Sequence, residues 1–93
     1  MVTWDDAKRR QNLAKHGIDL ADAARFDFET AVIGDDRDAR HEQRFRAIGW
    51  IDDRLCLLVY ALRGDDIRAI SLRPAERKEK RFYVEELQRR FHP

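Results

Sequence analysis

Two side chains that can do chemistry, Lys15 and His16, stand immediately before Gly17 in the stretch QNLAKHGIDL. A histidine can move a proton near neutral pH, and a lysine can stabilise charge that grows on a phosphate. The pair also has a purely structural explanation. Cations in the last turn of a helix stabilise its negative end by roughly 0.3–1 kcal/mol each. Spacing alone favours the structural explanation, so other residues are needed to choose between the two.

Arginines form the second group of candidates, since 15 of the 19 cationic residues are arginines. A guanidinium offers a rigid fork of donors that fits phosphate and carboxylate. Arg63 and Arg73 end two predicted strands, and Arg44, Arg46 and Arg68 lie within strands. With 18 acidic residues in the chain, ion pairing is the default expectation for most of them. Several arginines on one face of a sheet would instead form a phosphate-binding surface.

The remaining candidates carry weaker signals. Arg77 and Arg81 are four residues apart in the last predicted helix and therefore share a face, with Lys78 between them. Glu42 precedes the first long strand and is a candidate base, although a lone glutamate there is more often an ion-pair partner. His41 and His92 are expected to be exposed. No HExxH motif, cysteine–histidine cluster, glycine-rich phosphate loop or GxSxG motif is present. We therefore expect chemistry by histidine, lysine and arginine without a metal or cofactor, or plain binding.

The composition limits the class of protein. A chain of 93 residues is expected to form a single domain over residues 1–93. Its charged residues nearly cancel to +1, which excludes a uniformly basic or acidic protein but allows a local basic patch. No stretch approaches the ~20 apolar residues of a membrane span, and the N-terminus lacks the apolar region of a signal peptide. Cys56 is the one cysteine and is expected to be a buried small hydrophobe. We therefore expect a cytoplasmic protein with no membrane contact.

Helices are predicted to position the first candidates. A very short strand at 2–4 precedes a helix capped by Asp5 or Asp6. This helix is predicted to end at Gly17, because glycine tolerates the left-handed conformation found just past a helix end. Asp19 is predicted to cap a second helix over LADAARFDF.

Strands are predicted to position the arginines. They cover QRFRAIGWI, RLCLLVYALR and IRAISLR, with a weaker strand, TAVI, before them. The segments Asp52–Asp53 and Gly64-Asp65-Asp66 suit tight hairpins. The apolar run of the middle strand predicts burial on both faces.

The last predicted element is a helix with Pro74 at its first position. Tyr83, Leu87 and Phe91 recur at four-residue spacing and are expected to pack on the sheet. The whole pattern predicts an α+β fold. It has two N-terminal helices, an antiparallel meander sheet of three to four strands, and a C-terminal helix.

Three of these segments together resemble a known family. The pieces WD..K...N..KHG, E.RF.AIG and R.ISLRPA.RKE occur in this order, and the resemblance covers roughly Trp4 to Tyr83. They resemble the BrnT family, toxins of bacterial type II toxin–antitoxin systems. The resemblance implies a RelE-like fold and RNA cleavage without a metal. It also implies a BrnA-like antitoxin with a ribbon-helix-helix domain, expected in a heterotetramer that contacts operator DNA only through the antitoxin.

The resemblance also implies a site. It makes Lys15, His16, Arg63 and Arg73 the candidate catalytic residues, with His16 transferring protons and the other three stabilising charge. The candidate RNA-binding residues are Arg44, Arg68, Arg77, Lys78 and Arg81. The chain departs from the usual family pattern in the loop DARHEQRF, where His41 becomes a low-ranked second proton-transfer group.

Two other functions remain open at this point. One is a binding module without catalysis that serves as co-repressor of its antitoxin. The other is a structural or interaction protein whose arginines are ion-paired, in which replacing the candidate residues changes stability alone.

Overall fold

The computed structural model describes residues 1–36 and 42–91. In chain order the elements are β1 (Val2–Thr3), α1 (Asp6–His16), a 3-10 helix (Leu20–Arg25), β2 (Val32–Asp35), β3 (Arg44–Ile51), β4 (Arg54–Arg63), β5 (Asp66–Pro74) and α2 (Arg77–Phe91). The predicted α+β class is confirmed. β3 and β4 follow the predicted segments closely, whereas β2 begins two residues later than TAVI.

The sheet has five strands in the order β1-β5-β4-β3-β2, and it is mixed. Strands β2 to β5 form an antiparallel meander, as predicted. The prediction of a purely antiparallel sheet was wrong because β1 adds a fifth strand parallel to β5, with Val2 opposite Ile67 and Thr3 opposite Arg68. A two-residue strand has no periodicity from which its partner, more than sixty residues away, could be read.

One α-helix, not two, precedes the meander. The Asp5 carboxylate accepts hydrogen bonds from the amides of the first turn of α1, and Gly17 ends the helix at φ 72°. The predicted second helix is a 3-10 helix that ends at Arg25. Phe26 is already extended and bridges Ile51 of β3, so pairing with the sheet replaces the last predicted helical turn.

Each face of the sheet buries its own apolar cluster. The α1 side contains Leu20 and Phe26 packed on Leu58 and Leu72 of the two central strands. Cys56, 1% exposed, belongs to this cluster and is a buried small hydrophobe as expected. The helix α2 covers the other side. β4 therefore contributes buried residues to both clusters, as its apolar run predicted.

The last helix begins later than predicted. Pro74 ends β5 opposite Cys56, and the Ala75 amide donates to the Leu55 carbonyl at 2.9 Å, so pairing continues past the proline. Tyr83 is buried on the sheet. Phe91 is 72% exposed, so its predicted packing was wrong. Side chains spaced four apart drift round a helix, and over eight residues the drift is about 80°, away from the sheet.

Within the described ranges, no helix is both long and apolar enough to cross a membrane.

Candidate active site

The pairing of the three longest strands places arginines on one face of the sheet. Arg44 and Arg68 stand on either side of Ala61 of β4. Directly opposed residues project to the same face, and side chains alternate along a strand. The arginines that share this face are Arg44, Arg46, Arg63, Arg68 and Arg73. We call this surface the arginine face.

A β-bulge makes this arrangement possible. Arg68 and Arg73 are five residues apart, and regular alternation would put them on opposite faces of β5. The register shifts by one residue between Val59 and Tyr60 of β4, because Val59 pairs with Ser71 while Tyr60 pairs with Ala69. Ile70 is thus the extra residue, and it returns Arg73 to the same face as Arg68.

The two helices border the arginine face. α2 lies on the same side of the sheet and covers Ile48 and Leu57 with Tyr83. α1 runs along the β5 border, since Asp5 at its start lies within electrostatic range of Arg68, and His16 at its end within range of Arg73. Between α1 and β5 lies a cleft of about 160 Å³. It is lined by Lys8, Gln11, Asn12, Lys15, His16, Ile70 and Ser71.

The environment of His16 favours the neutral imidazole. The side chain is half-buried at the end of α1. Its pKa lies below the ordinary 6.5, first because burial disfavours the charged form and then because Lys15 and Arg73 repel a second positive charge. A neutral imidazole at neutral pH can accept a proton, which is the starting condition for a general base.

Arg73 is held by a carboxylate of α2. Its two terminal nitrogens donate to the two oxygens of Glu79, each at 2.8 Å, and both side chains are largely buried. The same carboxylate accepts from the Glu76 amide at 2.8 Å and lies 3.7 Å from Arg46. The hydrogen bonds from Arg73 lower the pKa of Glu79 below its ordinary 4.5. Arg73 therefore has a fixed direction beside the cleft.

Arg63 lies at the opposite end of the arginine face. Arg73 is level with Leu57 of β4, and Arg63 comes six residues later in that strand, a distance of about 20 Å at strand rise. Arg63 donates to Glu42 at 3.3 Å. The fold therefore brings Lys15, His16 and Arg73 to one end and leaves Arg63 with its ion-pair partner at the other.

The candidate RNA-binding residues separate into two groups. Arg44 and Arg68 are half-buried in the middle of the arginine face, and neither forms an ion pair with a carboxylate of residues 1–36 or 42–91. Arg77, Lys78 and Arg81 are exposed on α2. The helical period turns Arg77 and Arg81 away from the side that carries Tyr83. Lys78 lines a separate groove between α2 and β2. His41 lies outside the described residues.

Sequence reasoning missed several residues of the site. Lys8 lines the cleft with Lys15, and their seven-residue spacing on one helix face was a usable signal. Asn12 shares that helix face and stands, like Glu79, in the quoted motifs, but its partner Leu72 and the partner Arg73 of Glu79 belong to another element, so the contacts themselves gave no sequence signal. Ser71 reaches the cleft through the bulge, which alternation does not reveal.

The fold and the site define a small α+β protein with an arginine-rich sheet face beside a helix that carries lysine and histidine. Residues 4–79 match the family model described as "Ribonuclease toxin, BrnT, of type II toxin-antitoxin system". The crystal structure of the Brucella abortus ribonuclease toxin BrnT is similar, with a TM-score of 0.64 and 30% identity over 82% of this chain and 96% of that one. No curated protein sequence matches the chain. The chain belongs to the BrnT family of type II toxin–antitoxin ribonuclease toxins.

Proposed function

We propose that the protein is an endoribonuclease that cleaves RNA by attack of the ribose 2′-hydroxyl, without a metal ion. Membership of a ribonuclease toxin family supports the activity. One observation carries the assignment of the site: Lys15 and His16 line a cleft at the end of the arginine face, within electrostatic range of Arg73. Helix capping explains the position of Lys15 and His16 in α1, but it does not require an arginine beside them.

The chemistry is general acid–base transfer. Neutral His16 takes the proton of the 2′-hydroxyl, whose oxygen then attacks the adjacent phosphorus. Lys15 and Arg73 stabilise the negative charge that grows on the phosphate oxygens. The 5′ oxygen leaves with a proton from water, to which protonated His16 returns the proton that it took up, and a 2′,3′-cyclic phosphate remains. DNA has no 2′-hydroxyl and is not cleaved in this way.

Substrate binding uses the rest of the arginine face. Arg44 and Arg68 pair with no carboxylate of residues 1–36 or 42–91, and there they can contact phosphates directly. We assign Arg63 to this group rather than to catalysis, because about 20 Å of sheet separates it from Arg73. The positive surface continues along α2 through Arg77, Lys78 and Arg81. These side chains act on the RNA phosphates at longer range.

A type II toxin family implies an antitoxin partner. We assign this role to a BrnA-like ribbon-helix-helix protein that forms a heterotetramer with the toxin and contacts operator DNA. The complex and its RNA substrate are assigned to the cytoplasm.

The ion pairs of Arg63 and Arg73 favour a second candidate function, a co-repressor without catalysis. In this candidate, Glu42 and Glu79 neutralise two of the four predicted catalytic groups. Such a protein would tighten operator binding by its antitoxin and leave RNA intact.

Cleavage of purified RNA in EDTA separates the two functions. The proteins to compare are the wild type, His16→Ala, and His92→Ala as a matched histidine replacement. Cleavage by the wild type and His92→Ala that is abolished in His16→Ala supports the ribonuclease and its base. Equal cleavage by all three overturns the role of His16. An activity that EDTA abolishes overturns the metal-free mechanism. Intact RNA both here and in a translating extract, together with tighter operator binding by the antitoxin, establishes the co-repressor.

A further inference from the structure

Asn12 is the one buried polar side chain of the described residues, with 6% exposed. Its carboxamide makes three hydrogen bonds. The Oδ1 atom accepts from the Leu72 amide at 3.0 Å, and Nδ2 donates to the carbonyls of Leu72 at 2.7 Å and Ile18 at 2.9 Å. Both amide hydrogens are used, so Asn12 has no donor left for a substrate.

These bonds satisfy backbone groups on an edge of β5 that does not pair with another strand. β1 pairs only with Ile67 and Arg68, so the border of β5 beyond Arg68 faces α1. At Leu72 the carboxamide of Asn12 takes the place of a neighbouring strand, because it presents a donor and an acceptor together. Among the side chains only asparagine and glutamine carry a carboxamide, whose separate N–H and C=O groups resemble those of the backbone. A longer glutamine would change the distance between α1 and β5.

The same bonds join the two walls of the cleft. Lys15 and His16 follow Asn12 by three and four residues and therefore lie on its side of α1. On β5, Leu72 directly follows Ser71, which lines the cleft, and directly precedes Arg73. The bond to Ile18 also secures the chain just after the αL residue Gly17, which ends the helix. A shift of the carboxamide would change the distance from His16 to Arg73.

We propose that Asn12 is a positioning residue that holds Lys15 and His16 at a set distance from Arg73 across the α1–β5 cleft. The proposal rests on the proposed ribonuclease function for its catalytic consequence. It differs from plain stabilisation, in which the three hydrogen bonds strengthen the fold and leave the folded site unchanged. The two cases give different results in the folded protein.

The first test needs no catalysis. NMR titration of the His16 ring measures its pKa, with the signal assigned by its loss in His16→Gln. Replacing Arg73→Gln together with Glu79→Gln removes the positive charge and its bidentate carboxylate partner at the same time. Lys8 and Lys15, the other cations of the cleft, stay in place. This double change raises the His16 pKa in the wild type, because Arg73 lowers it there. In an Asn12→Ala background we expect that rise to shrink by at least about half, because Coulomb coupling falls with distance.

The second test measures cleavage by Asn12→Ala. We expect kcat to fall at least about tenfold with little change in KM, because a small misplacement of reacting groups is costly. Ile51→Ala, which opens a comparable hole at the far end of β3, loses stability and keeps its kcat. Asn12→Ser replaces Asn12→Ala in both tests if the alanine variant does not fold.

The positioning role and the proposed ribonuclease function would be contradicted by different results. Wild-type kcat in Asn12→Ala, or an unchanged coupling between His16 and Arg73, overturns the positioning role. If Asn12→Ala loses the coupling between His16 and Arg73 but the wild type never cleaves RNA, the positioning role is supported and the proposed function is overturned.

Discussion

At the residue scale, the site depends on how burial and charge set the protonation of His16. Its pKa is lower in the folded chain than in the unfolded one, so the folded state binds its proton less tightly. The contribution of this pKa difference to the free energy of unfolding is fully present above about pH 6.5, the ordinary pKa of an unfolded histidine. It decreases as the pH falls from there toward the folded pKa. The environment that makes His16 a base therefore costs stability in mild acid.

Replacing Lys15→Gln removes the second cause of the low His16 pKa. We expect the His16 pKa to rise and the acidic limb of the pH–rate profile to shift to higher pH in the same direction. NMR titration and cleavage rates measure the two values between about pH 5 and 8, the range in which histidine titrates. Lys80→Gln, on α2 outside the cleft, serves as the control. A Lys15→Gln profile identical to the wild type would contradict the assignment of His16 as the base.

At the element scale, close contacts and a bidentate ion pair decide how the strands and helices meet. Gly49 of β3 lies under Phe26, whose extended backbone ends the 3-10 helix. Glu79 joins the first turn of α2 to β5 through Arg73. Each contact connects elements that no local pattern relates, and each can be tested by one substitution.

Gly49→Ala is expected to destabilise the fold by about 1–3 kcal/mol. An added Cβ would lie 2.6 Å from Cζ of Phe26 and 3.1 Å from Cβ of Ala31. Gly34→Ala is the matched control, because a Cβ at Gly34 of β2 meets nothing within 4 Å. Urea unfolding of both variants measures the difference. Equal stability of the two would show that Phe26 moves aside freely.

Glu79→Gln is expected to lower the free energy of unfolding by roughly 1–3 kcal/mol, because it leaves Arg73 without its carboxylate. The pKa of Glu79 is lowered in the folded state, so its contribution is present above the ordinary 4.5 and is lost as the pH falls through the folded value. The variant should therefore lose less stability than the wild type on acidification. Glu85→Gln, exposed on the same helix, should behave as the wild type does. Equal acid sensitivity of Glu79→Gln and the wild type would place the acid-labile group elsewhere.

At the scale of the whole molecule, a net charge of +1 coexists with a face that carries five arginines. Carboxylates pair with Arg46, Arg63 and Arg73 on that face, whereas Arg44 and Arg68 form no ion pair within the described part of the chain. Affinity for RNA should then depend on where the positive charge lies rather than on its total. The salt dependence of binding reports how many phosphates the protein neutralises.

The double variant Arg44→Gln/Arg68→Gln is expected to bind single-stranded RNA more weakly and to keep its stability. The slope of log K against log salt should become shallower by about 0.7 for each phosphate that the variant no longer neutralises. Arg9→Gln/Arg25→Gln, which removes the same charge from ion pairs on the α1 side, is the control. An equal decrease of affinity in both variants would mean that total charge, not the arginine face, controls binding.

Elements whose signals are local could be predicted from the sequence. Asp5 and Gly17 mark the ends of α1 because capping acts between residues of one helical turn. The long apolar run of β4 indicated a strand buried on both sides. The motifs that include Lys15 and His16 identified the family, because each is a short run of side chains in a set order.

Which candidate residues meet depends on how distant segments pack. The bulge at Ile70 reverses the alternation of β5 and puts Arg73 on the same face as Arg68, while the length of the strands separates Arg63 from Arg73. Asn12 meets Leu72 sixty residues later in the chain. Such contacts depend on strand register and on the position of α1 against the sheet, which arise when distant segments pack together and are not encoded in any one segment.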